Sequence, residues 1–263
     1  MVKLSCYYKN KVPLVRDSVL DNYAERVLME YDNDCLKYPK PVDYINFSER
    51  FLDLRIEYHY IYCDVEDEEI LGATSFNDYS KLQTIEDNKI VIKDIHRGNI
   101  VINQTLLDNN DTIRENSTGL HECSHWLLHQ KYYSKNRDQI TMSFMNDNTL
   151  VRCCRSNNID CNKKSLVTEE DFIEHQAGYL GSALAMPKNI FIETVRELFK
   201  KYHIKEEHIV IGVSPEEDII FQKILKEITK LFSVSKQAAT IRLEKFNFVY
   251  SKKDKGVNLK INI

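Results

Sequence analysis

Thr118-Gly119-Leu120-His121-Glu122-Cys123-Ser124-His125-Trp126-Leu127-Leu128-His129 is the stretch from which the rest of the chain can be read. It contains His-Glu-x-x-His. Residues four apart stand one above the other on a helix, about 5–6 Å between Cβ atoms, so the imidazoles of His121 and His125 can grip one metal ion. Zinc takes His nitrogens at roughly 2.0–2.1 Å and, in catalytic sites, has three protein ligands plus a water. Glu122 is turned from the histidines by one residue, roughly 100° on a helix, and can reach that water without being a ligand. This is the geometry of a general base in a zinc peptidase. The bland alternative is an amphipathic helix that carries histidines by accident.

The flanks favour a helix, because Leu120, Cys123, Leu127 and Leu128 recur at helical spacing with no proline among them. Thr112 and Glu115 have the spacing of a capping box, which predicts a helix over 112–130. On it Leu120, Cys123, Ser124 and Leu127 face the core, and His121, Glu122, His125 and His129 share the adjoining side. A second helix, opened by Thr168 and running from Glu169 to about Leu184, can supply a third ligand, with acidic residues in its first turn where the macrodipole favours them. Its candidates are Glu169, Glu170, Asp171, Glu174 and His175. Glu174 is favoured, because it lies in the helix interior near the small residues Ala177, Gly178 and Gly181, which let two helices approach. Two His plus one Glu is a known donor set for catalytic zinc.

The 263 residues, 43% hydrophobic and 29% charged, suffice for one large domain or one domain plus an appendage. A net charge of -4 argues against a generic nucleic-acid binder. No apolar run approaches a membrane span, and the first residues lack the apolar core of a signal peptide, so the expected location is the cytoplasm, with no membrane partner. The seven cysteines then read as reduced thiols. Cys153, Cys154 and Cys161 lack the paired spacing of a metal site and are read the same way.

The remainder gives an α+β order. A helical pattern through Val19, Leu20, Tyr23, Val27, Leu28 and Tyr31 ends before Pro39 and Pro41. A short helix over 42–52 would dock Ile45, Phe51 and Leu52. Strands are expected at 55–62, 70–76, 89–93 and 99–103, forming a small, mostly antiparallel sheet behind the histidine helix. His59 is read as a sheet-surface residue. The stretch from Gln130 to Val167 is polar and reads as an irregular connection. Beyond Pro187 a helix is expected over 190–202. Ser214-Pro215 opens another to about Leu231, and Ser235 caps a last one to about Phe246. The final pair resembles a helix-turn-helix. Lys223, Lys226, Lys230, Lys236, Arg242, Lys245, Lys252, Lys253, Lys255 and Lys260 give it a basic face for DNA or an acidic protein, or simply a solvated one. The division is 1–212 for a metal-binding domain and 213–263 for the helical segment.

His121-Glu122-Cys123-Ser124-His125-Trp126-Leu127-Leu128-His129, then Glu174-His175-Gln176-Ala177 closing in Leu184-Ala185-Met186-Pro187, then Ser235, Ala238, Arg242 and Leu243, together resemble the ImmA/IrrE family of metallo-endopeptidases over roughly 42–250. The chain departs from that pattern at Cys123-Ser124, where a bulky residue and Gly are usual, at Gly178, where Asn is common, and in the long insertion between the helices. The resemblance implies a zincin-like minimal metalloprotease fold, zinc on His121, His125 and Glu174, and Glu122 as the catalytic base. It also implies a narrow protein substrate, such as a DNA-binding transcriptional repressor of a mobile element or stress regulon. An oxyanion donor is expected, with Tyr179 and His129 as candidates. The competing reading is a catalytically silent regulator that binds DNA or a repressor through its last helices.

Overall fold

Two short strands, β1 (Tyr7–Lys9) and β2 (Val12–Leu14), open the chain as an antiparallel hairpin, turned by Asn10 and Lys11 at positive φ. These coordinates are a computed structural model, and they describe residues 2–65, 68–78, 80–133, 151–155 and 166–251. Helix α1 (Asp17–Tyr31) follows, burying Leu20, Tyr23, Ala24, Val27 and Leu28 at the expected three- and four-residue spacing.

The next segment differs from its sequence reading. α2 (Tyr44–Asn46) runs directly into a π-helical turn, Phe47–Phe51, in which Leu52 N–H reaches back to Phe47 O at 3.1 Å. The wider turn rotates the inward face, so Tyr44, Phe47, Ser48 and Leu52 are buried while Ile45 is left exposed.

The central sheet is built from β3 (Arg55–His59), β4 (Ile70–Ser75), β7 (Asn99–Asn103) and β8 (Val151–Arg155), in the order β3-β7-β4-β8. Its two pairs that involve β4 are antiparallel, but β3 runs parallel to β7. β8 was not expected, because it lies inside a stretch whose composition reads as connection. Cys153 and Cys154 stand on it, while Cys161 and the rest of 134–150 and 156–165 lie outside the described residues. A hairpin of β5 (Ser80–Glu86) and β6 (Lys89–Ile95), closed by Asp87 and Asn88 at positive φ, covers one side of the sheet. Ile61, Ile70, Ala73, Leu82, Ile95 and Val101 form the apolar layer between them. Because the sheet is covered on both sides, all five residues of β7 are buried.

After a short α3 (Gln104–Asp108), the opposite side receives α4 (Thr112–Tyr133), the helix that carries the His-Glu-x-x-His stretch. α4 packs chiefly on α5 (Glu169–Ala185), and α6 (Lys188–Lys201) follows at once. The last elements are β9 (Ile209–Ile211), α7 (Pro215–Phe232), α8 (Lys236–Lys245) and β10 (Val249–Ser251). β9 and β10 pair in parallel and so clamp the base of the two helices between them. Phe221, Ile224, Leu225, Ile228, Phe232 and Leu243 of that helical pair belong to the same continuous apolar cluster as Leu20, Leu120 and Leu180. The architecture is thus mixed helix and strand with small sheets. Among the described residues no helix is long and apolar enough to cross a membrane.

Candidate metal centre

α4 is anchored at its start and along the face that carries Glu115 and Cys123. Its start is not the predicted Thr112–Glu115 box: the Asp111 carboxylate accepts from Arg114 N–H at 3.2 Å. Glu115 instead faces inward and accepts hydroxyl hydrogen bonds from Tyr44 at 2.7 Å and Tyr58 at 2.8 Å. Burial, helped by the neighbouring carboxylate, pushes the Tyr58 phenol up to about 12, so it stays a donor. About two turns on, Cys123 is fully buried against Ser48 Oγ at 3.0 Å, and burial raises its thiol to about 12. It is an inert packing residue there.

These anchors leave His121 and His125 on the face toward α5. Their Nε2 atoms are 2.9 Å apart. α5 is capped by Thr168, whose hydroxyl accepts from Asp171 N–H while the Asp171 carboxylate accepts from Thr168 N–H. The cap fixes the helix phase and sends Glu174 to the histidines, 3.5 Å from His121 Nε2 and 3.3 Å from His125 Nε2. The close passage of the two helices depends on Gly181, since a Cβ there would sit 3.2 Å from the His121 backbone nitrogen. The other third-ligand candidates are directed elsewhere: Asp171 into its cap, His175 to Asp17 at 3.0 Å, and Glu169 and Glu170 to the surface.

His121, His125 and Glu174 therefore form a group that could hold a metal ion, each offering one ligand atom within 4.8 Å of the others. Burial works to raise the Glu174 carboxyl, but the imidazoles of His125 and His121 outweigh it and hold the group far below the usual carboxylate range. It is an anion at any ordinary pH, as a ligand must be. The His125 side chain is fully buried, whereas those of His121 and Glu174 retain 13% and 12% exposure, so the group opens on their side.

Glu122 is also fully buried, and Thr74 of β4 donates its hydroxyl to Glu122 Oε2 at 2.6 Å. Gly72, two residues earlier on the same strand, leaves room for that side chain. Thr74 and Gly72 are not marked in the sequence, because the composition of β4 gives no sign of which side meets α4.

The two candidate oxyanion donors are engaged elsewhere. Tyr179 gives its hydroxyl to Asp21 at 2.7 Å. His129 is fully buried, with Nδ1 3.1 Å from His125 Nδ1 and Nε2 3.0 Å from Gln176 Oε1. Burial and the neighbouring His125 lower its pKa to about 3, so His129 is neutral. Gln176 was also missed. The available signal was the four-residue recurrence of His121, His125 and His129 together with a polar residue one turn from Thr168–Asp171 that is not charged.

The expected basic face narrows. Lys223, Lys226, Lys230 and Lys236 are exposed, but Arg242 is buried and Lys245 pairs with Asp17. Lys252, Lys253, Lys255 and Lys260 lie outside the described residues. No protein-family model and no curated protein matches the chain.

Proposed function

We propose that the chain is a zinc-dependent endopeptidase with a zincin-like site, of the ImmA/IrrE kind. The observation that carries this reading is the convergence of His121, His125 and Glu174 from two helices, with Glu122 on the adjacent helical position. Ligand atoms around a tetrahedral ion with bonds of roughly 2.0–2.1 Å lie about 3.3 Å apart. The separations of 2.9, 3.3 and 3.5 Å among these three side chains suit such an ion. Two imidazoles and one carboxylate are also the donor set of hydrolytic zinc rather than of calcium or magnesium, which prefer all-oxygen shells. Zinc held there supplies Lewis acidity, polarising a peptide carbonyl and making water a better nucleophile at neutral pH.

The chain's own share of the chemistry falls to Glu122. Its carboxylate takes the proton from the attacking water and returns it to the departing amine. The Thr74 hydroxyl holds Oε2 in place, so the carboxylate keeps one orientation through both transfers. The substrate we assign is a protein, a DNA-binding transcriptional repressor, and the exposed lysines at 223, 226, 230 and 236 offer a surface for it or for its DNA.

Elemental analysis of the purified protein is expected to give one zinc per chain and His121→Ala to lose it. Glu122→Gln is expected to keep the metal and the fold and to lose cleavage by about 10²–10⁴-fold. Cleavage is read as new protein N-termini appearing in a cell extract incubated with the wild type. A zinc-loaded protein whose Glu122→Gln variant produces the same new termini at the same rate would leave the catalytic assignment without support. A folded protein that never retains zinc favours the silent regulator instead.

A further inference from the structure

His129 lies one turn beyond His125 and offers no ligand atom to the three-residue group, yet both of its ring nitrogens are committed. Nδ1 is 3.1 Å from His125 Nδ1, and Nε2 is 3.0 Å from Gln176 Oε1. Gln176 in turn donates from Nε2 to the Pro13 carbonyl of β2 at 2.7 Å. His129 is fully buried and Gln176 is 4% exposed, so water does not compete for these contacts.

The far end of this series sets its direction. A backbone carbonyl only accepts, so Gln176 must turn its NH₂ to Pro13 and its Oε1 to His129. That oxygen also only accepts, so His129 carries its proton on Nε2. A neutral imidazole then has a bare Nδ1, which accepts, and His125 must supply the proton from its own Nδ1. The remaining lone pair of His125 is thereby on Nε2, the atom that faces His121 and Glu174. Had Pro13 O been replaced by a donor, every step would reverse, and His125 would point an N–H at the site.

We propose that Pro13, Gln176 and His129 form a relay that fixes the ring orientation and tautomer of His125, so that Nε2 is ready to bind a metal. His129 and Gln176 are positioning residues: His129 meets only the outer nitrogen of His125, the one turned away from His121 and Glu174, and Gln176 acts through His129. The relay rests on the metal-centre reading above. It also gives the N-terminal hairpin a role: β2 supplies the fixed acceptor from which the order of protons is set. Ligand histidines commonly give their second N–H to a carboxylate, a carbonyl or water, and losing that partner weakens metal affinity. Here an imidazole and an amide connect the ligand to a carbonyl in another element.

The test is made on the full chain. Long-range ¹H–¹⁵N spectra of ¹⁵N-histidine protein, metal-free and zinc-loaded, are expected to show His125 protonated on Nδ1 and His129 on Nε2. Competition against a chromophoric chelator is expected to show His129→Leu and Gln176→Leu binding zinc about 10–100-fold more weakly than wild type. His129→Gln keeps one acceptor and one donor and is expected to recover most of that loss, which a purely space-filling role would not predict. A wild-type His129 protonated on Nδ1 overturns the relay, as do leucine variants that bind zinc as tightly as wild type, or a His129→Gln variant no better than His129→Leu. If leucine at 129 prevents folding, the wild-type spectrum decides alone. A wild type that takes up no zinc overturns the metal centre and the relay with it, whereas a zinc-loaded wild type with the opposite tautomer removes the relay only.

Discussion

Gly72 stands where β4 passes closest to the turn of α4 that carries Glu122. A Cβ at that position would lie 2.6 Å from Thr118 Cγ2 and 3.1 Å from both Cγ and Oε1 of Glu122. Thr118 is β-branched and has few rotamers open to it in a helix, so much of the strain passes to the helix position or to the Glu122 side chain. Gly72→Ala gains about 0.5–1 kcal/mol by removing a flexible residue from a strand and loses about 1–3 kcal/mol by overpacking. The expected result is a net loss of about 1–2 kcal/mol in urea unfolding, with Glu122 displaced and cleavage reduced while zinc is retained. A variant as stable and as active as the wild type would show that the approach of β4 to α4 can relax. The residues around this point differ in how far they could be read in advance. His121, Glu122 and His125 are legible because their mutual placement is a property of one helix. Glu174 is legible because only an interior position of α5 can face a neighbouring helix. Thr74 and Pro13 are not, since their partners come from other elements and nothing local marks them, and Gln176 is marked only by the histidine recurrence on a different helix. Glu115 misled for the same reason: its spacing from Thr112 suits a cap, but two tyrosine hydroxyls from α2 and β3 are its partners in the fold.

Among the elements, three helices are legible at their starts, where Thr168, Ser214 and Ser235 each accept from a backbone N–H three residues on, an interaction contained within one turn. The short strands β8, β9 and β10 are not, because a strand of three to five residues exists only through its partner, and Ile209 meets Val249 across the whole of α7 and α8. The same distance effect hides what Arg242 does. Its sequence setting leaves it open between the basic face and a structural role in the helix-turn-helix-like phrase; it is 2% exposed and its guanidinium bonds Asp21 of α1 at 2.7 Å. It also donates to the Met186 carbonyl at 3.0 and 3.2 Å and lies over the Phe246 and Tyr179 rings. It therefore joins α8 to α1 and to the end of α5. Arg242→Met keeps the bulk and strands Asp21 as a buried, unbalanced charge, which is expected to cost about 3–5 kcal/mol. Adding Asp21→Asn should recover much of that loss, and urea unfolding of the two single variants and the double gives the coupling. If Arg242→Met alone is nearly neutral, the pair does not hold α8 in place.

At the scale of the molecule, Asp17, His175 and Lys245 draw together α1, α5 and α8. Asp17 bonds His175 Nε2 at 3.0 Å and also pairs with the Lys245 ammonium. The hydrogen bond to His175 lowers the Asp17 carboxyl most, burial pushes back, and Lys245 adds to the lowering, bringing it to about 2 from an ordinary 3.8. Because the folded pKa is the lower one, the unfolded chain binds more protons between these values. The contribution of Asp17 is therefore fully present above pH 3.8 and is lost as pH falls through about 2. Other carboxylates titrate in the same window, so the informative quantity is the difference between wild type and Asp17→Asn. Urea unfolding at a series of pH values from neutral to strongly acid is expected to find the variant less stable at neutral pH and flatter in acid. The two slopes can differ by at most about 1.4 kcal/mol per pH unit, the value for one proton. The curves should converge at the acid end, where Asp17 is protonated in the folded wild type as well. Parallel curves across the whole range would mean that the Asp17 charge does not tie the three helices together, and that the apolar cluster they share sets their arrangement alone.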